Sequence, residues 1–384
     1  MRILFVTGSL VHGGAERHTI ALANRLAERG HECHAAYVKD DSSQLARLTG
    51  AASAQCLDAR RYLDFGAVGK LTSLVKTVRP AVILAANQYA LLYAALARRH
   101  AGARAPLMAT FHTTVPASTK EWLQMLYYRP FFWSADCLVF VCEAQRRYWN
   151  ARRLGSRRDE VIYNGVDLEH WQPRPAAERA MIRRVLAVAE GDFLVGMCAV
   201  LRPEKNHLQL VDAVARLRAR GIPARALLVG DGPERARIEA RARSLGIGPE
   251  VQITGYQQDV RPLIGACDAM ALCSRAVETF SLAALEAMAL ARPVVHADLG
   301  GAAEMIRPGH DGWLFPVGDT AALVERLAAL AGRRARERLG AAAREAVEAR
   351  FSERAMVERY EATLLELESK RSRRENLRRR AAAY

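Results

Sequence analysis

The sequence has no long hydrophobic run, which limits the classes of protein to which it can belong. No apolar stretch among its 384 residues approaches the roughly 20 residues that a membrane-spanning helix needs. The apolar N-terminus, residues 1–8, is too short for a signal peptide and is expected to form the first strand of a cytoplasmic protein. With 51% hydrophobic and 25% charged residues, the chain has the composition of a globular protein and the length for two domains.

Cysteine is also scarce. The seven cysteines are odd in number and lie mostly in apolar runs, so we expect buried free thiols rather than disulfides. No close group of cysteines and histidines suggests a zinc site.

Acidic residues are outnumbered, and the formal net charge is +15. Residues 98–158 hold eleven Lys or Arg and three acids, a net +8, and residues 370–380 hold seven and one, a net +6. Such basic stretches indicate an anionic partner, whether membrane lipid, a phosphorylated glycolipid or nucleic acid. An arginine-rich composition that merely solvates helices explains them equally well.

Apolar strand-like runs alternate with amphipathic helical patterns along nearly the whole chain. This alternation predicts an α/β fold with parallel sheets covered on both faces, and its two series predict two Rossmann-like domains. The first series of strand-like runs lies at 2–7, 31–38, 81–86, 107–112, 137–142 and about 160–163. The second series lies at 193–199, 225–230, 251–254, 269–273, 293–297 and 312–315.

A proline-rich stretch, residues 171–175, indicates where the two domains are joined. A last helical pattern begins near Ser352, and charge replaces its apolar stripe beyond Lys370, which favours a disordered tail. These features divide the chain into an N-terminal domain (1–170), a linker (171–190), a C-terminal domain (191–350), a last helix (351–370) and a basic tail (371–384).

The segment 278–286 carries two glutamates around a mostly small and apolar helix start. Acidic side chains are unfavourable in an apolar helix against a sheet unless something polar binds there. Backbone N–H groups at a helix start suit phosphate, and carboxylates suit sugar hydroxyls. We therefore predict that Glu278 and Glu286 belong to a site that holds a nucleotide-sugar from both ends.

Two other strand ends carry phosphate-compatible residues. Gly13 and Gly14 form a strand-to-helix turn that lets backbone approach a ligand closely. Their spacing fits neither a dinucleotide fingerprint nor a P-loop, and a simple tight turn explains them as well. Arg202 and Lys205 follow the strand-like run 193–199 and either converge on a diphosphate or remain solvated loop cations.

Three further strand ends are candidates. Gly230 begins a glycine turn compatible with close approach to a nucleotide, and Tyr256 follows a strand whose backbone can contact a base. His112 ends a strand and can contact a reacting sugar if it faces a cleft between the domains. Ordinary turn chemistry and a structural histidine are the alternatives.

The segment 120–133 mixes bulky aromatic residues with flanking cations. This mixture is typical of helices that lie at a membrane interface. A helix whose apolar face is ordinary core explains the pattern too, and we favour that alternative.

These motifs together carry a resemblance that none of them carries alone. They occur at familiar spacing: Glu278-x7-Glu286, Arg202-x2-Lys205, Gly13-Gly14, Gly230-Asp-Gly232-Pro and Asn164-Gly165-Val-Asp167. The chain resembles a retaining glycosyltransferase of family 4 over nearly its whole length, most strongly from about 159 to 316. The resemblance implies the GT-B fold, in which two Rossmann-like domains face each other across a central cleft and the last helix crosses back to the first domain.

The resemblance also implies roles at the matching positions. Arg202 and Lys205 would bind the donor diphosphate and stabilise the leaving nucleotide. Glu286 would hold the ribose hydroxyls, and Glu278 would contact the donor sugar near the reacting carbon. The other implied donor contacts are the backbone N–H groups of Phe280, Ser281 and Leu282, close backbone approach at Gly13 and Gly14, and His112 facing the donor sugar.

The implied reaction is metal-independent hexosyl transfer from a UDP- or GDP-linked sugar, with retention of configuration and no cofactor. The sequence has no Asp-x-Asp pair of the kind that usually holds the metal in metal-dependent glycosyltransferases. Retention in hydrolases needs a carboxylate nucleophile, and Glu278 is the nearest candidate. Because the family is usually discussed in terms of front-face attack, we assign Glu278 to donor binding and charge stabilisation.

The expected acceptor is a lipid-linked, lipopolysaccharide-type or polysaccharide glycan. The basic stretches 98–158 and 370–380 would then meet anionic lipid at the cytoplasmic face of the membrane. A soluble transferase with a small acceptor and a sugar-nucleotide epimerase are alternatives among enzymes. A basic nucleic-acid-binding protein is the alternative of another class, although the basic residues avoid the strand-end motifs and no DNA or RNA module is legible.

Overall fold

Thirteen strands and fourteen α-helices are present in the part of the chain that the computed structural model describes, which is residues 1–11, 13–113 and 119–381. The end of the predicted basic tail, 382–384, therefore lies outside the described residues. The elements form two compact units. The first comprises Met1–Asn164 with the chain from Ala355 onward, and the second comprises Gly165–Arg354.

The first unit is built on a seven-stranded parallel sheet in the order β3-β2-β1-β4-β5-β6-β7. Helices cover both faces, so the central strands are buried along most of their length. The strands are β1 (Arg2–Thr7), β2 (Glu32–Tyr37), β3 (Ala51–Cys56), β4 (Val82–Ala86), β5 (Leu107–Phe111), β6 (Cys137–Phe140) and β7 (Asp159–Val161). The helices between them are α1 (Gly14–Glu28), α2 (Phe65–Val78), α3 (Asn87–His100), α4 (Thr119–Ser134) and α5 (Glu143–Asn150).

The second unit is built on a six-stranded parallel sheet in the order β10-β9-β8-β11-β12-β13. Its strands are β8 (Phe193–Cys198), β9 (Ala224–Val229), β10 (Val251–Ile253), β11 (Ala269–Leu272), β12 (Val294–Ala297) and β13 (Gly312–Phe315). Its helices are α6 (Ala176–Val185), α7 (His207–Ala219), α8 (Arg235–Ser244), α9 (Arg261–Ala266), α10 (Leu282–Ala289), α11 (Ala302–Met305), α12 (Thr320–Ala328) and α13 (Arg333–Arg350). The last helix of the chain is α14 (Glu353–Ala381).

Every strand-like run found in the sequence is a strand, with ends that differ by at most two residues. The two parallel α/β sheets confirm the predicted fold class. One strand, β3, was not predicted, because its sequence AASAQC has little apolar character. It lies at the edge of the first sheet and is mostly exposed, so its pairing with β2 supplies what its side chains do not.

The apolar stripe of α14 packs in the core of the first unit. Tyr360 and Leu364 are fully buried in one cluster with Ile3 and Phe5 of β1. The prediction of a disordered tail beyond Lys370 is wrong for the described residues, since α14 continues to Ala381. Arginine and lysine are good helix formers, and the ion pair of Lys370 with Glu366 (2.7 Å) stabilises the helix where the stripe ends.

The predicted linker at 171–190 is also wrong. All of it belongs to the second unit, because the proline-rich stretch leads into α6 rather than into a flexible segment. Arg179 and Arg183 of α6 both bind the carboxylate of Asp268, which precedes β11. The boundary between the units lies instead at Asn164 and Gly165.

All seven cysteines are free thiols, and five of them are buried, as the sequence predicted. Among the described residues, no helix combines the length and the apolar character that crossing a bilayer requires.

Candidate functional site

The order of strands in the second sheet reverses at the pair β8 and β11. In open parallel sheets, ligands bind beyond the carboxyl ends of the strands at such a reversal. The loop after β8 carries Arg202 and Lys205, and the loop after β11 carries Glu278. Three of the predicted site residues therefore lie at the position where this fold forms ligand sites.

Lys205 and Glu278 form the central ion pair of this edge. The Lys205 Nζ lies 2.7 Å from the Glu278 Oε2, and the hydroxyl of Ser274 donates a hydrogen bond to the same oxygen at 2.8 Å. Burial raises the pKa of Glu278, but the charge of Lys205 and the hydrogen bonds from Lys205 and Ser274 outweigh it and hold the pKa below its ordinary value. Glu278 is therefore an ionised, nearly buried carboxylate.

His296 is a site residue that sequence reasoning missed. It lies in β12, and its Nδ1 donates a hydrogen bond to the Ala297 carbonyl oxygen at 2.6 Å. Its Nε2 is buried and has no hydrogen-bond partner among the described residues. Burial lowers the pKa of His296 in spite of the nearby carboxylate of Glu278, so the ring is neutral and Nε2 is an acceptor. A lone histidine within the apolar run VVHA was the only sequence signal.

Arg202 is exposed at the end of β8, beside the short 3₁₀ turn Pro203–Lys205. Its guanidinium makes no hydrogen bond or ion pair in the described part of the chain. Two glycines shape the loop that carries it. A Cβ at Gly230 (φ +144°) would lie 2.2 Å from the Ala199 carbonyl oxygen, and one at Gly232 (φ +157°) would lie 2.6 Å from that of Leu201. Gly230 thus has a structural reason to be glycine, and its predicted nucleotide contact stays a prediction.

The helix α10 begins directly beyond Glu278. Ser281 caps it, since the Ala284 N–H donates to its Oγ at 3.3 Å. The N–H groups of the first helical turn have no partner within a helix, and that turn begins at Leu282. Glu286 lies one turn further on and is buried.

A second pair of glycines holds the backbone before α10. The Gly301 N–H donates to the Thr279 carbonyl oxygen at 2.7 Å. A Cβ at Gly300 (φ +62°) would lie 2.3 Å from the Glu278 carbonyl oxygen. Phe280 packs its ring 5.4 Å from that of Phe351. These contacts hold in place the main chain of residues 280–282, whose N–H groups are predicted to bind the diphosphate of the nucleotide-sugar.

Tyr256 follows β10 and is 66% exposed. Its neighbour Gly255 (φ +72°) pairs with Gly230 in an isolated bridge. The Tyr256 backbone is thereby tied to the turn after β9, at the same edge of the sheet as Arg202.

The first unit holds the remaining candidates at the carboxyl edge of its own sheet. His112 follows β5, and its N–H donates to the side-chain oxygen of Asn87 at 2.9 Å. Asn87 has φ +67° and begins α3, a role that the sequence did not show. Burial lowers the pKa of His112 to about 4, and its ring lies 4.8 Å from that of His18. His112 is therefore neutral at physiological pH.

Gly13 and Gly14 cap and begin α1 after β1. The order of strands in the first sheet reverses at β1 and β4, so this turn and Asn87 flank the reversal. Among the described residues, no group of three or more His, Cys, Asp and Glu is arranged to hold a metal ion.

Solved structures show the same fold. The crystal structure of the Anabaena protein HepE in complex with UDP superposes with a TM-score of 0.86 at 24% identity, covering 95% of this chain and all of that one. The two α/β units are thus those of the GT-B fold.

The family follows from the sequence matches. The family model described as Glycosyl transferases group 1 matches residues 178–346, and the one described as Glycosyltransferase Family 4 matches residues 12–170. Together they account for most of the chain, which therefore belongs to glycosyltransferase family 4.

Two relatives with specific names match over part of their length. N-acetyl-alpha-D-glucosaminyl L-malate synthase of Bacillus anthracis is 30% identical over 53% of this chain and 52% of its own. Phosphatidyl-myo-inositol mannosyltransferase of Mycobacterium leprae is 30% identical over 64% of this chain and 63% of its own. The chain thus spans between about half and two thirds of the length of these relatives.

Proposed function

We propose that this protein is a retaining glycosyltransferase that moves a sugar from a nucleotide-sugar to a glycan acceptor. One observation carries the proposal: the ion pair of Lys205 and Glu278, with the exposed Arg202, lies at the carboxyl edge of the second sheet where its strand order reverses. A lysine, an arginine without a partner carboxylate and a helix start suit a diphosphate.

The chemistry follows from where charge develops. Departure of a nucleoside diphosphate leaves negative charge on its phosphate oxygens, and fixed cations and N–H groups stabilise that charge without reorganisation. Arg202 and Lys205 supply the cations, and the main chain from Phe280 to Leu282 supplies the N–H groups. No resident cofactor or metal takes part in the proposed reaction.

The two glutamates bind different parts of the nucleotide-sugar. Glu286 binds the ribose hydroxyls, and Glu278, ionised beside Lys205, binds hydroxyls of the transferred sugar and stabilises positive charge at its reacting carbon. His296 adds a neutral acceptor beside Glu278. The proposed contacts of His112 with the transferred sugar and of Gly13 and Gly14 with the diphosphate rest on the family resemblance. Those of Gly230 and Tyr256 with the nucleotide rest on their positions at strand ends.

The acceptor class is proposed from the relatives. One of them is named for transfer of mannose to phosphatidyl-myo-inositol, and a structurally similar protein is the lipopolysaccharide outer core galactosyltransferase WaaB. We propose a lipid-linked, lipopolysaccharide-type or polysaccharide glycan as the acceptor. A small acceptor stays the alternative, because another relative is named N-acetyl-alpha-D-glucosaminyl L-malate synthase. No observation on the described residues favours an epimerase or nucleic acid.

Donor binding and transfer are tested separately. Thermal unfolding is measured with a panel of UDP- and GDP-linked sugars, and a donor at about 100 times its Kd stabilises the protein by about 2.7 kcal/mol. Release of nucleoside diphosphate is then measured with and without acceptor glycan, in the presence of a chelator. No stabilisation by any donor contradicts the proposed site, whereas release without acceptor contradicts the proposed transfer.

We further propose that the protein binds the cytoplasmic membrane surface peripherally. The helix α4 buries Met125, Tyr128 and Phe132 in the core of the first unit, so the expected core face is present. Tyr127 and Trp133 lie outside this core face, and each is about half exposed. Exposed aromatic rings suit the lipid interface.

The main chain of two exposed arginines, Arg152 and Arg153, contacts α4. The Trp133 Nε1 donates to the Arg153 carbonyl oxygen at 3.3 Å, and the guanidinium of Arg129 donates to the Arg152 carbonyl oxygen at 2.5 Å. The aromatic rings and these arginines together make a surface of the kind that anionic lipid attracts.

The membrane proposal is tested with vesicles at low salt. Sedimentation with vesicles of anionic phosphatidylglycerol is expected, and none with neutral phosphatidylcholine. Trp133→Ser should weaken the binding, whereas Val185→Ser, which removes an exposed apolar side chain from the second unit, should not. Absence of binding to anionic vesicles contradicts the proposed membrane binding and leaves the proposed transferase activity unaffected.

A further inference from the structure

A cavity of about 570 Å³ opens at the amino-terminal edge of the second sheet. Its walls come from α6, from the residues that precede β11 and β12, and from the first turn of α13. Six arginines and three carboxylates line it, which leaves a net charge of +3. The arginines are Arg179, Arg183, Arg184, Arg292, Arg333 and Arg336.

One carboxylate serves three of these arginines. Asp268 lies 2.6 Å from the Arg179 Nη2, 2.9 Å from the Arg183 Nη1 and 3.3 Å from the Arg336 Nε. The Nε of Arg179 is buried and has no hydrogen-bond partner among the described residues. The single negative charge of Asp268 neutralises only part of the positive charge of these three arginines.

Arg292 has no carboxylate within ion-pair distance in the described part of the chain. Its side chain donates only to the carbonyl oxygens of Leu290 (3.1 Å) and Cys267 (3.2 Å). Burial lowers the pKa of Arg292, and the neighbouring charge of Arg179 lowers it further. A cation in this position is unfavourable unless an anion joins it.

The first turn of α13 adds to the imbalance. Its N-cap, Gly332, offers no side-chain cap, and the turn contains no acid but begins with Arg333 and Arg334. A helix N-terminus already carries partial positive charge, so cations there are unfavourable and an anion is favourable. The 18 residues of α13 make this a full-length helix with that end at the cavity.

We propose that this arginine cavity is an anion site, separate from the donor site, for a small anion that carries two or more phosphates. Its volume lies within the roughly 300–1,000 Å³ of small-molecule sites. A single phosphate would leave much of the space and of the +3 charge uncompensated.

The cavity and the donor edge lie at opposite ends of the same strand. Asp268 precedes the four-residue strand β11 and Ser274 follows it, and the six residue steps between them span roughly 20 Å at about 3.3 Å per residue. One diphosphate group therefore cannot occupy both sites.

Calorimetric titration with inorganic pyrophosphate at low salt tests the site. The variant Lys205→Ala serves as the background, because it weakens any binding of pyrophosphate at the donor edge. Added Arg292→Gln is expected to weaken the remaining binding at least about tenfold, which corresponds to about 1.4 kcal/mol. Arg333→Gln, whose side chain is 85% exposed and tolerates substitution, should weaken it as well.

The matched control is Arg334→Gln, which removes the same charge from the same turn but does not line the cavity. It should leave the affinity within about twofold of the background. Equal weakening by this control, or no pyrophosphate binding by the background, overturns the proposal. Orthophosphate that binds as tightly as pyrophosphate contradicts the class of ligand, and a nucleoside diphosphate arm shows whether the anion is a nucleotide.

Thermal unfolding separates an anion site from a group of arginines that only anchors helices. Without anion, Arg292→Gln should unfold at the same temperature as the background or higher, because repulsion from Arg179 is relieved. At the same concentration, pyrophosphate should raise the midpoint of the background more than that of the variant, because the variant binds it more weakly. A lower midpoint for the variant, with no response of the background to pyrophosphate, shows a purely structural role and overturns the proposal.

Discussion

Single residues at the donor edge show how a buried carboxylate stays charged. Glu278 would be protonated by burial alone, but Lys205 at 2.7 Å and the hydroxyl of Ser274 stabilise its charged form. The same ion pair holds Lys205 in place before any donor arrives. A cation that is already oriented stabilises a leaving phosphate without rearrangement.

Lys205→Ala should therefore lower turnover more than donor affinity. Loss of one preorganised hydrogen-bond donor that stabilises charge in the transition state lowers kcat about 10²-fold. Steady-state kinetics with a saturating acceptor measure kcat and KM for the donor. Arg220→Ala, which removes a surface cation paired with Glu325 in the same unit, is the charge-matched control. A raised KM with unchanged kcat would show that Lys205 binds ground state and transition state equally.

Acid should destabilise the protein through its buried histidines. His207 is 2% exposed, neither ring nitrogen has a hydrogen-bond partner among the described residues, and burial lowers its pKa from 6.5 to about 4. The unfolded chain then binds the proton more tightly, so the stabilising contribution is complete above pH 6.5 and is lost as the pH falls toward 4.

Replacement of this side chain should flatten the pH dependence. Wild type should lose about 2 kcal/mol more than His207→Leu between pH 7 and pH 4.5. Urea unfolding at several pH values gives the free energies. Equal slopes for the two proteins would show that His207 does not titrate with a lowered pKa.

At the scale of elements, glycines let neighbouring loops approach each other at the donor edge. The loop after β8 lies against the turn after β9, where Gly230 and Gly232 leave room for the carbonyl oxygens of Ala199 and Leu201. The Leu201 N–H donates to the Asp231 carbonyl oxygen at 2.9 Å, which joins the two loops. Their packing sets the direction of the Arg202 loop.

Gly230→Ala should disturb this packing. Its Cβ would meet backbone at 2.2 Å, so it should cost about 1–3 kcal/mol beyond the strain of its positive φ and should weaken donor binding. Gly221→Ala is the matched control, because Gly221 also has a positive φ (+80°) but no atom within 4 Å of its Cβ. The control should cost about 1 kcal/mol and leave donor affinity unchanged. Urea unfolding measures the loss of stability in each variant, and donor titration measures the affinity. Equal losses of stability in the two variants would show that the contact of Gly230 with Ala199 does not matter.

At the scale of the whole molecule, the chain returns to its first unit to complete that unit's core. Residues from Ala355 onward belong to this unit, and Tyr360 and Leu364 of α14 are buried with strands formed at the start of the chain. The buried side chains of this cluster end at Leu367, before the most basic part of the helix. The part of α14 up to Leu367 thus stabilises the core, whereas the part beyond it contributes positive surface charge.

Two truncations should separate these contributions. A chain that ends at Lys370 keeps the buried stripe and should unfold within a few degrees of wild type, but it should bind anionic vesicles less well. A chain that ends at Arg354 should lose cooperative unfolding of the first unit and keep that of the second. Calorimetry and vesicle sedimentation measure these effects, and early unfolding of the longer truncation would assign stability to the tail.

The sequence by itself determined the alternation of strands and helices, two α/β units and the strand-end positions of Arg202, Lys205 and Glu278. These features depend on local periodicity and on the rule that parallel strands present their carboxyl ends at one edge. The local pattern was too weak to predict the edge strand β3, and it was misleading at the supposed linker.

Only the tertiary structure decided which distant residues meet. It brought Lys205 to Glu278, a carboxylate 73 positions away, and placed His296 beside them. It also gathered arginines from α6, α13 and the residues before β12 around the cavity that Asp268 lines. Such contacts depend on the order of strands in a sheet, and that order is set by packing between segments far apart in the chain rather than by the pattern within any one of them.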